Sequence, residues 1–466
     1  MNNSLPANFL WGNSVSSMQT EGAWNEGGKG MSVYDIREAG ENISDWKVAT
    51  DSYHRYREDF DLMQDLGMNC YRFQISWSRV CPQGDGEFND EGIAFYDRFI
   101  DDLIARGIEP MICLEHYELP GALLEEYGGW ASKHVVELFV RYAEKVFDRY
   151  HGKVTRWFSF NEPIVVQTRV YLDALRWPYE QNTGTWMQWN HHKVLATAKV
   201  VKLFREKGYD GSVGCILNPE VTYPRSRAPH DERAAEIYDL FYNRVFLDPL
   251  VHGRYPQELV TLLEQHQVEW DYTADELALI ADNTVDELGI NLYYPHRVKA
   301  PSRAWHPETP FHPAYYYEPF ELPGRRMNRS RGWEIYPRII YDMAMRIKKE
   351  YRNIDWFVAE SGMGVENEAQ FRNRDGVIDD TYRIDFISEH LYYALLAREE
   401  GANCRGYMLW AFTDNVSPMN AFKNRYGLIE IDLENNRARR AKKSATWFRQ
   451  LRDERVLTLS VDDEWK

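Results

Sequence analysis

Eight short apolar runs, each followed by a longer amphipathic stretch, constrain this chain more than any other feature. The runs are NFLWGNSVSS (8–17), NCYRFQISWS (69–78), IEPMICLEHY (108–117), VTRWFSFNEP (154–163), GSVGCILNPE (211–220), VDELGINLYY (285–294), NIDWFVAESG (353–362) and NCRGYMLWAF (403–412). Between them, YHRYREDFDLMQDLG (53–67), GIAFYDRFIDDLIARG (92–107) and SKHVVELFVRYAEKVFDRY (132–150) repeat apolar residues every three or four positions, as helices do. The first two end at Gly, which suits a helix C-terminus. Strand–helix alternation repeated eight times predicts an α/β protein, a parallel sheet closed into a (β/α)8 TIM barrel. The 466 residues fit one such domain over 1–466, with no Pro/Gly/Ser linker to divide it. The stretches 223–239 and 300–326 read as insertions on the barrel rim, the second long enough for a binding loop or lid.

In such a barrel, chemistry sits where strands end and loops begin. That rule picks out Arg72, His116, Asn161, Glu162, Asn291, Tyr293, Glu360 and Trp410, all at or near the ends of these runs. Glu162 ends the fourth run and Glu360 the seventh, so two carboxyls face one another over the barrel mouth. Two carboxyls in different environments are what glycosidic bond cleavage requires. One is protonated to assist the leaving oxygen; the other is ionised, and their separation decides whether it attacks the anomeric carbon or activates water.

Composition narrows the alternatives. A net charge of −17 argues against nucleic acid, which needs a basic surface. The start MNNSLPANFLWG lacks the basic and apolar regions of a signal peptide, and no apolar run is long enough to span a membrane. Five cysteines, Cys70, Cys81, Cys113, Cys215 and Cys404, lack metal-type spacing and read as free, mostly buried thiols in a reducing cytoplasm. His191 and His192 are adjacent in a helical stretch, where neighbouring side chains diverge, so no metal or other cofactor is implied. The 16 Trp and 30 Tyr suit a protein that packs aromatic rings against sugar faces, although core packing accounts for most of them.

Over nearly its whole length the chain resembles glycoside hydrolase family 1, the retaining β-glycosidases. The matching pieces, in order, are FLWGNSVSSMQTEGAWNEGGKG, YRFQISWSRVCP, GIEPMICLEHYELP, FSFNEP, LGINLYY, RGWEIYP, AESG and YMLWAFTDN. The resemblance implies Glu162 as general acid/base and Glu360 as nucleophile, with retention through a covalent glycosyl-enzyme. It also implies that Gln19, His116, Asn161 and Trp410 hold sugar hydroxyls or stack on the ring. Arg72, Asn291 and Tyr293 become neighbours that support the nucleophile, the cation and phenol keeping Glu360 ionised. One departure is Ala359-Glu360-Ser361-Gly362, where the family usually reads Thr-Glu-Asn-Gly. Another is Tyr117, where a Trp or Phe usually follows the His.

The stretch 410–432 bears on the sugar. Family members acting on unphosphorylated sugars carry a Glu seven residues after the Trp, then a second Trp; here those positions are Ser417 and Pro418. The 6-phospho-β-glycosidase branch has Ser, Lys and Tyr contacting the phosphate. Ser417 and Tyr426 fit that pattern, but Asn424 stands where the Lys belongs, between Lys423 and Arg425. An extended backbone would turn both cations away from the face of Asn424; a loop would let Lys423 swing in. The expected activity is hydrolysis of terminal β-O-glycosidic bonds of small β-glycosides, favouring 6-phospho-β-glucosides. An unphosphorylated β-glucosidase or β-galactosidase is the alternative. A catalytically silent sugar-binding relative would lack one of the two Glu residues, and both are present. A homo-oligomer is compatible with the sequence, which specifies no state.

Overall fold

The computed structural model describes residues 4–36, 46–176, 178–303, 310–417 and 420–459. Pro418 and residues 304–309 of the second rim stretch therefore lie outside the described residues. Eight strands form the barrel: β1 Leu10–Ser14, β2 Cys70–Gln74, β3 Glu109–Glu115, β4 Arg156–Asn161, β5 Ser212–Leu217, β6 Glu287–Asn291, β7 Asp355–Ser361 and β8 Cys404–Leu409. Each falls inside its expected run. They close in the order β1-β8-β7-β6-β5-β4-β3-β2, every pair parallel. The expected helices appear as α1 Ser52–Leu66, α2 Asp90–Ala105 and α3 Lys133–Tyr150, with α4 Thr183–Glu206 crossing behind β4 and β5. Gly67 ends α1 in the left-handed region at φ +75°, donating back to Met63 and Gln64. α3 begins at Ser132, whose hydroxyl caps His134 N–H, and buries a stripe including Val135, Phe139, Tyr142 and Val146.

The barrel is filled rather than hollow. Leu10, Cys70, Met111, Cys113, Phe158, Ile216, Phe357, Ala359 and Met408 pack together inside it. Their neighbours Tyr71, Ile112, Trp157, Trp356 and Val358 point outward into the layer of helices. Strand alternation then fixes the direction of Arg72, two residues after Cys70 and so on the inner face.

Alternation fails where it matters most. Phe357 and Ala359 face inward, which would turn Glu360 outward. Between Val358 and Glu360 the β6–β7 ladder slips by one residue, a bulge that brings Glu360 to the mouth. A similar slip separates Phe158 from Asn161 against β5. Ser159 and Phe160 both face the outer layer, and Asn161 turns in.

Both rim insertions carry structure of their own among the described residues. Thr222–Pro224, His296–Lys299 and Glu318–Pro319 form a three-stranded rim sheet, and Pro229–Asp239 is a helix packed on it. No helix among the described residues is long and apolar enough to cross a membrane. All five cysteines are buried and unpaired.

Candidate active site

Glu360, the penultimate residue of β7, is 3% exposed and held at both oxygens. Arg72 Nη2, fully buried, donates to Oε1, and the Tyr293 hydroxyl donates to Oε2 at 2.8 Å. Both donors favour the ionised carboxyl, and burial opposes them. Burial is the larger influence and, after the opposing pull of Arg72, the nearby Glu162 adds to it, raising the carboxyl from 4.5 to about 7.

Glu162 follows β4 with φ +46°, in the left-handed region, and its N–H still donates to Ile216 O at 2.8 Å. Tyr117 follows β3 in the same way, at φ +66°. These two turns let consecutive residues reach one cleft: His116 with Tyr117, and Asn161 with Glu162. The pairs bond across the strand ends. His116 Nε2 and the Asn161 amide are 3.0 Å apart, and the Tyr117 hydroxyl donates to Glu162 Oε2. That phenol–carboxyl bond was not foreseen from the aromatic side chain at 117.

Asn291 is also placed differently from expectation. It is the ladder partner of Glu360, yet its side chain turns to the other carboxyl, with its amide 2.9 Å from Glu162 Oε1 and 3.1 Å from Asn161 Oδ1. Asn291 thus supports Glu162 rather than the nucleophile position. Arg72 joins the two halves, because its Nη1 lies 3.0 Å from His116 Nδ1. Burial, together with the Arg72 charge, pushes the His116 imidazole well below its ordinary value, so it is neutral.

Of the remaining predicted residues, Trp410 and Tyr426 contact this cluster. Trp410 follows β8 through a cis peptide to Ala411, and its ring centre lies 5.9 Å from that of His116. Gly362 is required beneath it, since a Cβ there would sit 1.8 Å from Trp410 O. Gln19 is fixed at both ends, donating to Val416 O at 2.8 Å and accepting from Ser16 Oγ at 2.7 Å. Tyr426 packs with Trp410 and Ala411, with Tyr293 and Trp333 against them. Gly364 makes room for Tyr426, whose ring would lie 2.5 Å from a Cβ at that position. Trp333, within the RGWEIYP motif, is a site aromatic that the sequence reading did not single out.

At the far wall, Ser417 is half-buried in a tight turn, its N–H donating to Ala421 O at 2.8 Å. Asn424 begins a two-residue strand paired with Val365–Glu366, so the extended alternative holds. Lys423 turns out to solvent and pairs with Glu366 at 3.3 Å, while Arg425 bonds Asp414 and Ile431 O. Asn424 itself is 1% exposed, and neither its amide N nor its O has a partner. His191 and His192 bond Tyr255 and Trp130 O, and no cluster of metal-ligand type occurs among the described residues.

Comparison with known proteins identifies the family. The sequence model of glycosyl hydrolase family 1 matches residues 1–456. The chain belongs to glycosyl hydrolase family 1. Among family 1 relatives, it is 44% identical to the 6-phospho-beta-glucosidase GmuD of Bacillus subtilis, over 96% of this chain and 97% of that one. It is 33% identical to beta-glucosidase A of Acetivibrio thermocellus, over 96% and 98% respectively. The solved family 1 β-glucosidase of Thermotoga maritima superimposes with a TM-score of 0.88 at 30% identity, covering 98% of this chain and 99% of that one. As a family 1 member the protein is a glycoside hydrolase acting on small β-glycosides.

Proposed function

We propose that this family 1 enzyme works by double displacement with retention, preferring 6-phospho-β-glucosides, and that it acts in the cytoplasm. The observation that carries the mechanism is the unequal support of two neighbouring carboxyls. Glu360 has a guanidinium and a phenol, which favour its ionised form for attack at the anomeric carbon. Glu162 has a phenol and one amide, with no cation bonded to it among the described residues, and serves as acid toward the leaving oxygen. In the second half it takes the proton of the water that releases the sugar. Gln19, His116, Asn161 and Trp410 bind the sugar. The amide of Asn161 meets the 2-hydroxyl, where bonding strengthens as positive charge develops on the ring.

The pH dependence follows from Glu360. Only its carboxylate attacks, and its folded-state value is raised to about 7. The acidic limb of kcat/KM for an aryl β-glucoside is therefore expected to rise about tenfold per pH unit up to about 7, with a basic limb above it where the acid loses its proton. Tyr293→Phe removes a donor to the carboxylate and moves the acidic limb to higher pH. A wild-type limb centred below pH 5 contradicts the dominance of burial.

For the phosphate, Ser417 replaces a repelling carboxylate, Tyr426 offers a phenol, and the Asn424 amide is buried without a partner. The charge comes from Arg331. Its guanidinium lies 4.3 Å over the Trp333 ring, which packs against the Trp410–Tyr426 cluster, and no carboxylate pairs with it among the described residues. Asn328 and Ser330 tie this turn to Gly364 and Glu366, on the strand paired with Asn424. The similarity to a 6-phospho-beta-glucosidase supports the same reading. Five unpaired thiols fit a reducing compartment.

The test is a paired assay on p-nitrophenyl β-glucoside and its 6-phosphate. The wild type is expected to favour the 6-phosphate strongly, and Arg331→Gln to lose on the order of 10²-fold of that preference. A wild type that favours the free glucoside overturns the phosphate reading. Unchanged preference in Arg331→Gln removes only the role of Arg331.

A further inference from the structure

The side chains joining the two carboxyls impose a direction on one another. Arg72 Nη1 lies 3.0 Å from His116 Nδ1. A guanidinium has only donors, so Nδ1 must accept, and the imidazole carries its hydrogen on Nε2. Nε2 in turn faces the Asn161 amide across 3.0 Å. The Asn161 atom that meets this donor is the carbonyl oxygen, since a half-turn of a carboxamide exchanges its nitrogen and oxygen. The Asn161 NH2 then faces Asn291 across 3.1 Å, and Asn291 must answer with its own oxygen. After that half-turn the Asn291 oxygen occupies the amide nitrogen position, 2.9 Å from Glu162 Oε1. Two oxygens at this distance are held by a hydrogen, and the amide carbonyl has none to give.

We infer that Arg72, acting through His116 and Asn161, orients Asn291 so that its carbonyl accepts the proton of Glu162 and makes Asn291 the residue that keeps the acid loaded. The inference rests on Glu162 being the acid/base. Tyr117 donates to the other oxygen, Oε2, which leaves Oε1 to carry the hydrogen. When Glu162 gives its proton to the leaving oxygen, Asn291 and Asn161 must both make a half-turn to donate toward the new carboxylate. The Asn161 NH2 then opposes His116 Nε2–H, donor against donor. This opposition favours the state in which Glu162 has recovered a proton, which is the state that begins a catalytic cycle. Arg72 also bonds Glu360, so one buried cation serves both carboxyls by different routes.

The titratable groups around Glu162 are Tyr117 after β3, Tyr293 and Tyr294 after β6, and Glu360 on β7. Arg169, on the turn after β4, acts on the Tyr117 and Tyr294 phenols. None of these changes in an Asn291→Ala variant, so the direction of its pH shift isolates Asn291.

If Asn291 accepts from the acid, Asn291→Ala destabilises the protonated form, and the basic limb of kcat/KM moves toward acid by about one pH unit. If Asn291 donates to a carboxylate, the limb moves toward alkali, and the inference is wrong. The same profile in Glu162→Gln separates the two levels. A basic limb that survives there unseats Glu162 as the acid, whereas its loss with an alkaline shift in Asn291→Ala unseats only the role of Asn291. Neutron diffraction from the wild type gives an answer that needs no variant. Deuterium on Glu162 Oε1 facing the Asn291 oxygen supports the inference; an Asn291 ND2 group facing a bare Oε1 overturns it.

Discussion

Glu360→Gly is expected to lower kcat/KM on an aryl β-glucoside, free or 6-phosphorylated, by on the order of 10⁵-fold. The loss is that large because no other group can form the glycosyl-enzyme, and a missing nucleophile is not replaced by better binding. The substitution leaves a characteristic hole. Arg72 and Tyr293, which hold the two carboxylate oxygens, remain in place around a space the size of a small anion. Azide is therefore expected to enter and attack the anomeric carbon from the face that Glu360 used. One displacement instead of two gives the α-glycosyl azide, with inversion. Glu360→Gln keeps the space filled and should show no such rescue. Near-wild-type hydrolysis by Glu360→Gly would sink the mechanism proposed here.

Glu162→Ala is expected to lower kcat/KM by on the order of 10⁴-fold for substrates with poor leaving groups, such as alkyl glycosides. The loss in the first step should shrink as the leaving group becomes more acidic, since a dinitrophenolate departs without a proton. Release of the sugar still needs a base, so the glycosyl-enzyme should accumulate and kcat should stay low even with such substrates. Azide then accelerates the second step, and the product is the β-glycosyl azide, with retention. The two variants thus give azides of opposite configuration, a contrast that misfolding cannot imitate. Equal loss for alkyl and dinitrophenyl substrates in the first step removes Glu162 from the acid role.

The eight strands were readable because each is a short apolar run with helix-period stretches between, and a core buried on two faces leaves that pattern in the sequence. The carboxyl pair was readable for a related reason: polar residues at the ends of such runs have few structural uses. The partners of those carboxyls were less readable. Tyr117 looks like an aromatic wall until its hydroxyl is placed on Glu162, and Asn291 looks like a neighbour of Glu360 because it is one along the backbone. Arg331 carries no mark in the sequence that separates it from Arg329 or Arg338, and only its position over Trp333 distinguishes it.

By itself, then, the sequence determined a (β/α)8 barrel and the identity of its two carboxyls, because hydrophobic periodicity and residue type are local properties. The tertiary structure decided which way those carboxyls face. Strict alternation would have sent Glu360 outward and Asn161 away from the cleft. A one-residue slip in each strand, together with the left-handed turn at Glu162, reverses that. A bulge is a relation between two strands, set by how the ladder registers against its neighbour, and a single run of residues does not encode it.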